Sequence, residues 1–275
     1  MCEEEAGLTQ EGLEQLPQTK QPGRLEGLKT EALFVAIADK EVVRDVTLCV
    51  RPGEVHVLMG PNGSGKSTLA LGIAGHPRYA TTKGSVSIAG QSLNGLTPDA
   101  RARLGLFVGF QYPQEVPGVP LGAFLRRAVA AAGGEERSVL DFHVLLRREM
   151  AALGLDSALA QRGLNEGFSG GEKKRNEVLQ ALILRPKVAI LDEPDSGLDV
   201  DGVRQVGRAV AALAKQGAAV LAITHYPAAV TYLRPQFVHL MVSGSLVESG
   251  DVGLATVVAR HGFEHWRKGA DRSGH

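Results

Sequence analysis

Apolar and polar positions follow three rhythms along this chain, and each predicts a kind of element. The first is strict alternation: Val46, Leu48 and Val50 share one face of an extended segment, with Thr47 and Cys49 on the other. A strand over Leu33-Phe34-Val35-Ala36-Ile37-Ala38 precedes it through a turn at Asp39-Lys40, and Lys83–Gly90 alternates again between glycines. The second rhythm is the short unbroken apolar run. Val188-Ala189-Ile190-Leu191 predicts a strand buried on both faces, and Leu106–Phe110 and Ala219–Ile223 predict further strands. The third is three- and four-residue spacing: Val139, Phe142, Leu146, Met150 and Leu153 define one helix face. A helix over Val203–Leu213 links two of the apolar runs into a βαβ unit. Thr97-Pro98 predicts a helix start with Thr97 as N-cap, and Phe237–Val242 with Ser245-Leu246-Val247 predicts a hairpin turning at Ser243-Gly244.

This order predicts an α/β domain over about 28–266, with a helical subdomain at about 112–165 inserted between two halves of a sheet core. Residues 1–27 are rich in Glu, Gln, Gly and Pro and read as a disordered tail, in which Leu13 and Leu16 could form a short amphipathic turn. Residues 267–275 read as a frayed end. No internal repeat is visible, so one domain is expected and not a tandem pair.

Composition narrows the class. With 275 residues, 44% apolar and 22% charged, the chain can bury a substantial core. Thirty basic and thirty acidic side chains leave no global field of the kind that gathers nucleic acid. Cys2 and Cys49 provide no disulfide framework and no cluster ligands, and no apolar run approaches ~20 residues. The acidic Glu3-Glu4-Glu5 is unlike a secretory leader, so the expectation is a soluble cytoplasmic protein.

The candidate chemistry sits at strand ends. Gly60-Pro61-Asn62-Gly63-Ser64-Gly65-Lys66-Ser67-Thr68 fits the phosphate-binding loop pattern, between a strand over Gly53–Met59 and a helix starting near Ser67. Its glycines let successive N–H groups converge on phosphate oxygens, and the helix N-terminus adds positive potential. Lys66 would reach the β- and γ-phosphates, and Ser67 would hold Mg²⁺. Asp192-Glu193 closes the run Val188–Leu191, so Asp192 can hold Mg²⁺ through water and Glu193 can act as general base. Ser169-Gly170-Gly171-Glu172 suits a helix N-terminus exposing backbone donors to an anion, and equally suits a well-capped helix.

Taken in order, these motifs resemble the ABC-type ATPases, from Leu28 to about His265. The resemblance implies a P-loop NTPase fold of ABC type, with a mixed sheet core, the inserted helical subdomain and an N-terminal antiparallel β subdomain. It implies that Gln111 couples Mg²⁺ to the helical subdomain. Ser169-Gly170-Gly171 would close on the γ-phosphate of ATP held by a second copy. Ser196-Gly197-Leu198-Asp199 would cross the dimer interface, and His225 would read the γ-phosphate. Within the family, Phe110-Gln111-Tyr112-Pro113, Glu172-Lys173-Lys174-Arg175-Asn176-Glu177, Asp195–Asp201 and Thr224-His225-Tyr226 look like the SufC group, the soluble ATPases of SufBCD iron–sulfur cluster assembly. That implies SufB and SufD as partners through the region around Tyr112–Leu153, and a transient homodimer with ATP.

Ile37 stands where many relatives stack an aromatic on adenine, which implies apolar contact and weaker base discrimination. In the resting protein Lys174 is expected to pair with Glu193, and Asp195 with His225. Two alternatives share the motifs: the ATPase subunit of a membrane transporter, and a nucleotide-switched scaffold on ribosomes or DNA.

Overall fold

The computed structural model describes residues 27–134 and 137–266. The segment carrying Leu13 and Leu16 and the charged C-terminal end lie outside the described residues.

The chain opens with β1 (Leu28–Ile37) and β2 (Lys40–Val50), an antiparallel pair. Their ladder slips between Thr30 and Leu33. The buried Thr30 hydroxyl repairs the slip, donating to Val46 O at 2.9 Å and accepting from Leu48 N at 3.0 Å. Next come β3 (Val55–Met59), α1 (Lys66–Ala74), β4 (Ala80–Ile88), β5 (Gln91–Ser92), α2 (Pro98–Arg103) and β6 (Leu106–Gly109). Thr97 does sit at the N-cap of α2, but its side chain makes no cap bond; it bonds the Asp99 carboxylate instead.

Between β6 and the next core strand lie β7 (Val116–Pro120), α3 (Leu121–Ala131), α4 (Val139–Ala152), β8 (Gly163–Leu164) and α5 (Gly170–Leu184). Phe142, Leu146, Met150 and Leu153 are buried as their spacing predicts. Val139 is not: it is 50% exposed, because it is the first residue of α4, immediately after the Ser138 cap. The β7–β8 ribbon is unforeseen, since Val116-Pro117-Gly118-Val119-Pro120 carries two prolines that lack ladder donors.

The chain then completes the core with β9 (Val188–Asp192), α6 (Val200–Lys215), β10 (Ala219–Ile223), α7 (Pro227–Leu233), β11 (Phe237–Val242), β12 (Ser245–Gly250) and α8 (Gly253–His261). The central sheet has the order β12-β11-β3-β10-β9-β6, parallel except for the edge strand β12. The second sheet, β2-β1-β4-β5, is antiparallel.

Alternate residues of the central strands feed two cores. Leu58, Ile190, Leu221 and Met241 pack with α1 and the antiparallel sheet. Val57, Leu191, Ala222 and Leu240 face the other way, in a core shared with α5, α6 and the helical segment. Burial on both faces explains why these strands carry unbroken apolar runs. It also leaves the carboxyl ends of β3, β9 and β10 side by side, where open α/β sheets place their ligands.

Candidate active site

The loop from Gly60 to Thr68 leaves β3 and enters α1. A side chain at Gly60 would put its Cβ 2.1 Å from the Met241 carbonyl oxygen, so the loop lies close against β11 only because this residue is glycine. Gly65 caps α1 at φ +104°, a conformation that side chains disfavour. The first turn of α1 holds no acidic residue and its N-cap supplies no side-chain acceptor, so its N–H groups are available to an anion. The β11–β12 turn supports the loop from behind through Gly244 N to Ser64 O at 2.9 Å. Lys66 is buried, and its Nζ donates to Gly60 O and Pro61 O, each at 2.9 Å. Burial pulls the Lys66 pKa down, while the charges of Asp192 and Glu193 oppose that.

Asp192 ends β9 beside this lysine. One oxygen of its carboxylate, Oδ1, is buried without a hydrogen-bond partner among the described residues, and the Ser67 hydroxyl bonds the carboxylate. Burial raises the Asp192 pKa, and Glu193 adds to the rise. A neutral hydroxyl beside an under-satisfied carboxylate is the hard-oxygen donor set that Mg²⁺ prefers.

Glu193 follows at φ +51°, its N–H held by Ile223 O at 2.9 Å. Its two carboxylate oxygens take different partners: Gln111 Nε2 at 3.1 Å and His225 Nδ1 at 2.9 Å. Since a carboxylate only accepts, the imidazole donates from Nδ1, and a neutral ring then keeps its acceptor at Nε2. The fold thus brings Lys66, Gln111, Asp192, Glu193 and His225 together from four separate stretches of chain.

Ser169 lies elsewhere, exposed at the N-cap of α5 in a reciprocal capping box with Glu172. Those bonds hold the Glu172 pKa down. A Cβ on Gly171 would lie 3.2 Å from Leu198 Cδ2, so this turn sits against the Ser196–Asp199 loop. Asp199 caps α6 through Gly202 N at 2.7 Å. The two glycine turns form one neighbourhood, which joins the cluster around Lys66 through Ser196 N donating to Glu193 O at 3.1 Å. Ile37 stands half-buried at the end of β1.

The description of ABC transporters as a family fits residues 43–196, more than half of the chain. The chain belongs to the ABC transporter family. It is an ABC-type ATPase and binds ATP. It is 44% identical to a probable ATP-dependent transporter, ycf16, of Pyropia yezoensis, over 86% of this chain and 96% of that one. A probable ABC transporter ATP-binding protein of Streptococcus pyogenes serotype M3 is 46% identical, over 86% and 93%. A dimeric bacterial ABC transporter cassette superposes with a TM-score of 0.71 at 19% identity, covering 82% of this chain and 98% of that one, which speaks for the fold alone. Among the described residues, no helix is long and apolar enough to cross a membrane.

The resting pairs of this ATPase differ from those expected. Lys174 Nζ bonds Glu177 Oε2 at 3.2 Å, Phe110 O at 2.9 Å and Asp192 O at 3.0 Å, and does not pair with the Glu193 carboxylate. Asp195 takes the Thr224 hydroxyl at 2.8 Å, while His225 is bound to Glu193. The reason is reach: Glu177 lies one turn beyond Lys174 on the same buried helix face. Glu177 was missed because a lone carboxylate in a helix has no motif. Its signals in the sequence are its place in the SufC-like Glu172–Glu177 spelling, which assigns it no role, and the i, i+3 spacing from Lys174.

Proposed function

We propose that this cassette is the ATPase of a SufBCD-type iron–sulfur cluster assembly machine, docked on SufB and SufD. The observation that carries the reading is the stretch Glu172–Glu177, in which Lys173, Lys174 and Glu177 reach from the helix capped by Ser169 to the glutamine loop, the turn around Gln111 that runs from Phe110 to Glu115. Lys173 reaches Glu115 at 2.7 Å, and Lys174 and Glu177 hold both backbone groups of Phe110. This SufC-like spelling therefore sits where a docked partner would be felt.

Docking has a surface to use. A cavity of about 720 Å³ lies between the core and the helical segment, lined by Phe107, Phe110, Phe124, Phe142 and Leu145. Tyr112, 76% exposed, stands just beyond Phe110. An apolar groove of this size suits an apolar face of a partner helix.

In the cycle we infer, two copies meet head to tail. ATP lies between Gly60–Thr68 of one and Ser169-Gly170-Gly171 of the other, with adenine against Ile37 and the Asp199 loops touching across the axis. Backbone N–H groups and Lys66 cradle the phosphates. Ser67, Asp192 and Gln111 would hold Mg²⁺, which when bound neutralises charge on the transferring phosphoryl group. Glu193 takes a proton from the attacking water, and His225, fixed by its Nδ1 bond to Glu193, presents Nε2 to the γ-phosphate side. Closure and release of the pair would move SufB and SufD.

The transporter names of both relatives favour a second reading, the ATPase subunit of a membrane transporter. Affinity purification of the intact protein separates the two. Co-purification of SufB- and SufD-like soluble subunits is the expected result, and recovery of integral membrane subunits would replace the proposal with the second reading.

A further inference from the structure

The ion pair Lys174–Glu177 is nearly inaccessible to solvent, with both residues under a tenth exposed. Burying two charges in a helix is a poor way to stabilise it, because desolvation cancels most of their attraction and an apolar pair often does as well. What the pair touches accounts for its presence. Glu177 Oε1 accepts from Phe110 N at 2.6 Å, while Lys174 Nζ donates to Phe110 O at 2.9 Å. Both backbone groups of the residue before Gln111 are thus satisfied by one helix. The same ammonium donates to Asp192 O at 3.0 Å, the carbonyl that leads into Glu193.

Three further contacts follow the same line. Lys173 pairs with Glu115 at 2.7 Å, and Asn165 Nδ2 donates to Gln114 O at 2.8 Å while Asn176 Nδ2 donates to Asn165 Oδ1 at 2.8 Å. The first two tie the loop after Gln111 to α5 and to the segment just before it, and the third ties that segment to α5. The free end of α5 is the exposed Ser169 cap.

We propose that Glu177 is a positioning residue of the ATPase reaction: with Lys174 it locks the glutamine loop and the Asp192–Glu193 backbone to the helix that presents Ser169. A shift of α5 then moves Gln111 and Glu193 together, so the base is placed only when Ser169 is placed. This role rests on the proposed reading of Glu193 as base and of Ser169 as the contact to a second copy's ATP, and it does not depend on which partner docks. Glu177 acts through Phe110 and Lys174, the groups its buried carboxylate bonds.

The test uses the full-length protein with Mg²⁺ and ATP, measuring kcat, KM and Tm. The double variant Lys174→Met/Glu177→Leu fills the site with apolar side chains of similar size. It should lower Tm by several degrees, because Phe110 N, Phe110 O and Asp192 O lose their side-chain partners, and keep KM within about twofold, because the phosphate loop is untouched, while kcat falls on the order of tenfold. Glu177→Gln keeps an acceptor for Phe110 N and should restore kcat to within about threefold of the parent. Glu177→Ala should lose kcat as the double variant does. If Glu177→Ala does not fold, the double variant and Glu177→Gln still decide the matter. A folded double variant with the parent kcat overturns the proposal, as does a pattern in which only Tm falls or only KM rises.

Discussion

Two buried polar networks lie at opposite ends of the central sheet, and they are built on opposite rules. One gathers at the carboxyl ends of β3, β9 and β10 around Lys66, Asp192 and Asp195. The other threads from the start of β3 to the edge strand: Glu54 Oε2 to His56 Nε2 at 3.1 Å, His56 Nδ1 to His239 Nε2 at 2.9 Å, and His239 Nδ1 to Ser249 Oγ at 2.7 Å. In this second network every ring nitrogen has a partner, and the direction is fixed. Burial keeps both rings neutral, so with Glu54 accepting from His56 Nε2, His56 Nδ1 accepts from His239 Nε2 and His239 Nδ1 accepts from Ser249. In the first network Asp192 Oδ1 and Asp195 Oδ1 are buried with no partner among the described residues. A closed chain holds strands together. An open one stores unmet demand for hydrogen bonds and charge, which a ligand can satisfy.

The largest effect should come from the open network. Glu193→Gln keeps the shape and the Gln111 contact but removes the base, so turnover should fall about 10³-fold. Phosphate release measures the loss. Size-exclusion chromatography with light scattering should then find an ATP-held dimer, and a variant that stays monomeric at saturating ATP would break the proposed head-to-tail cycle.

The closed network answers to pH. Burial pushes the His239 pKa from 6.5 down to about 4, and burial lowers His56 as well, although Glu54 works against that. A base with a depressed folded pKa leaves the unfolded chain binding more protons. Stability is therefore full above pH 6.5 and is lost as pH falls toward 4, by about 3 kcal/mol for His239 alone. Arg51 and Glu54 are the charged groups facing the pair, and the Arg51–Glu54 contact at 3.3 Å partly offsets the carboxylate's pull. Urea midpoints from pH 7 to 4.5 check this. A flat profile would mean that the chain is not closed.

His239→Leu sharpens the contrast from the other side. It strands the buried His56 Nδ1, while the exposed Ser249 hydroxyl can turn to water, and should cost about 1–2 kcal/mol of stability. The kcat of the folded fraction should stay at the parent value, since the pair lies away from Lys66 and Glu193. A drop in kcat without a loss of stability would show that the closed network also serves the site.

The sequence disclosed the open network far better than the closed one, for a physical reason. Gly60–Thr68 and Asp192-Glu193 are contiguous, because a tight loop and a strand end need neighbouring residues, and apolar runs at Val188–Leu191 and Ala219–Ile223 mark the strands that carry them. His56 and His239 are far apart in sequence, and each alone reads as a packing residue in a strand. Their meeting is decided by β11 pairing beside β3 in parallel. The Lys174 partner departs from the expected one on similar grounds: the Glu-Lys-Lys and Asp-Glu-Pro-Asp spellings point to Glu193, but helix geometry offers Glu177 one turn away. The support behind the phosphate loop is equally silent in the sequence, because Met241 O of β11 against Gly60 and Gly244 N of the following turn on Ser64 O are backbone atoms.

The smallest stability effect should be the most informative about the open network. Burial, joined by the charge of Glu193, raises the Asp192 pKa, so the native protein resists ionising it. Asp192→Asn has nearly the same shape and removes the buried charge. Without nucleotide it should therefore be as stable as the parent, or more stable by about 1 kcal/mol. In the presence of Mg²⁺ and ATP the order should reverse, because the parent alone retains the carboxylate needed for the ion. Thermal unfolding with and without Mg²⁺ and ATP reads both signs in one experiment. A variant destabilised in both conditions would mean that Asp192 is a structural residue like His239, and the contrast between the two networks would fail at its most exposed point.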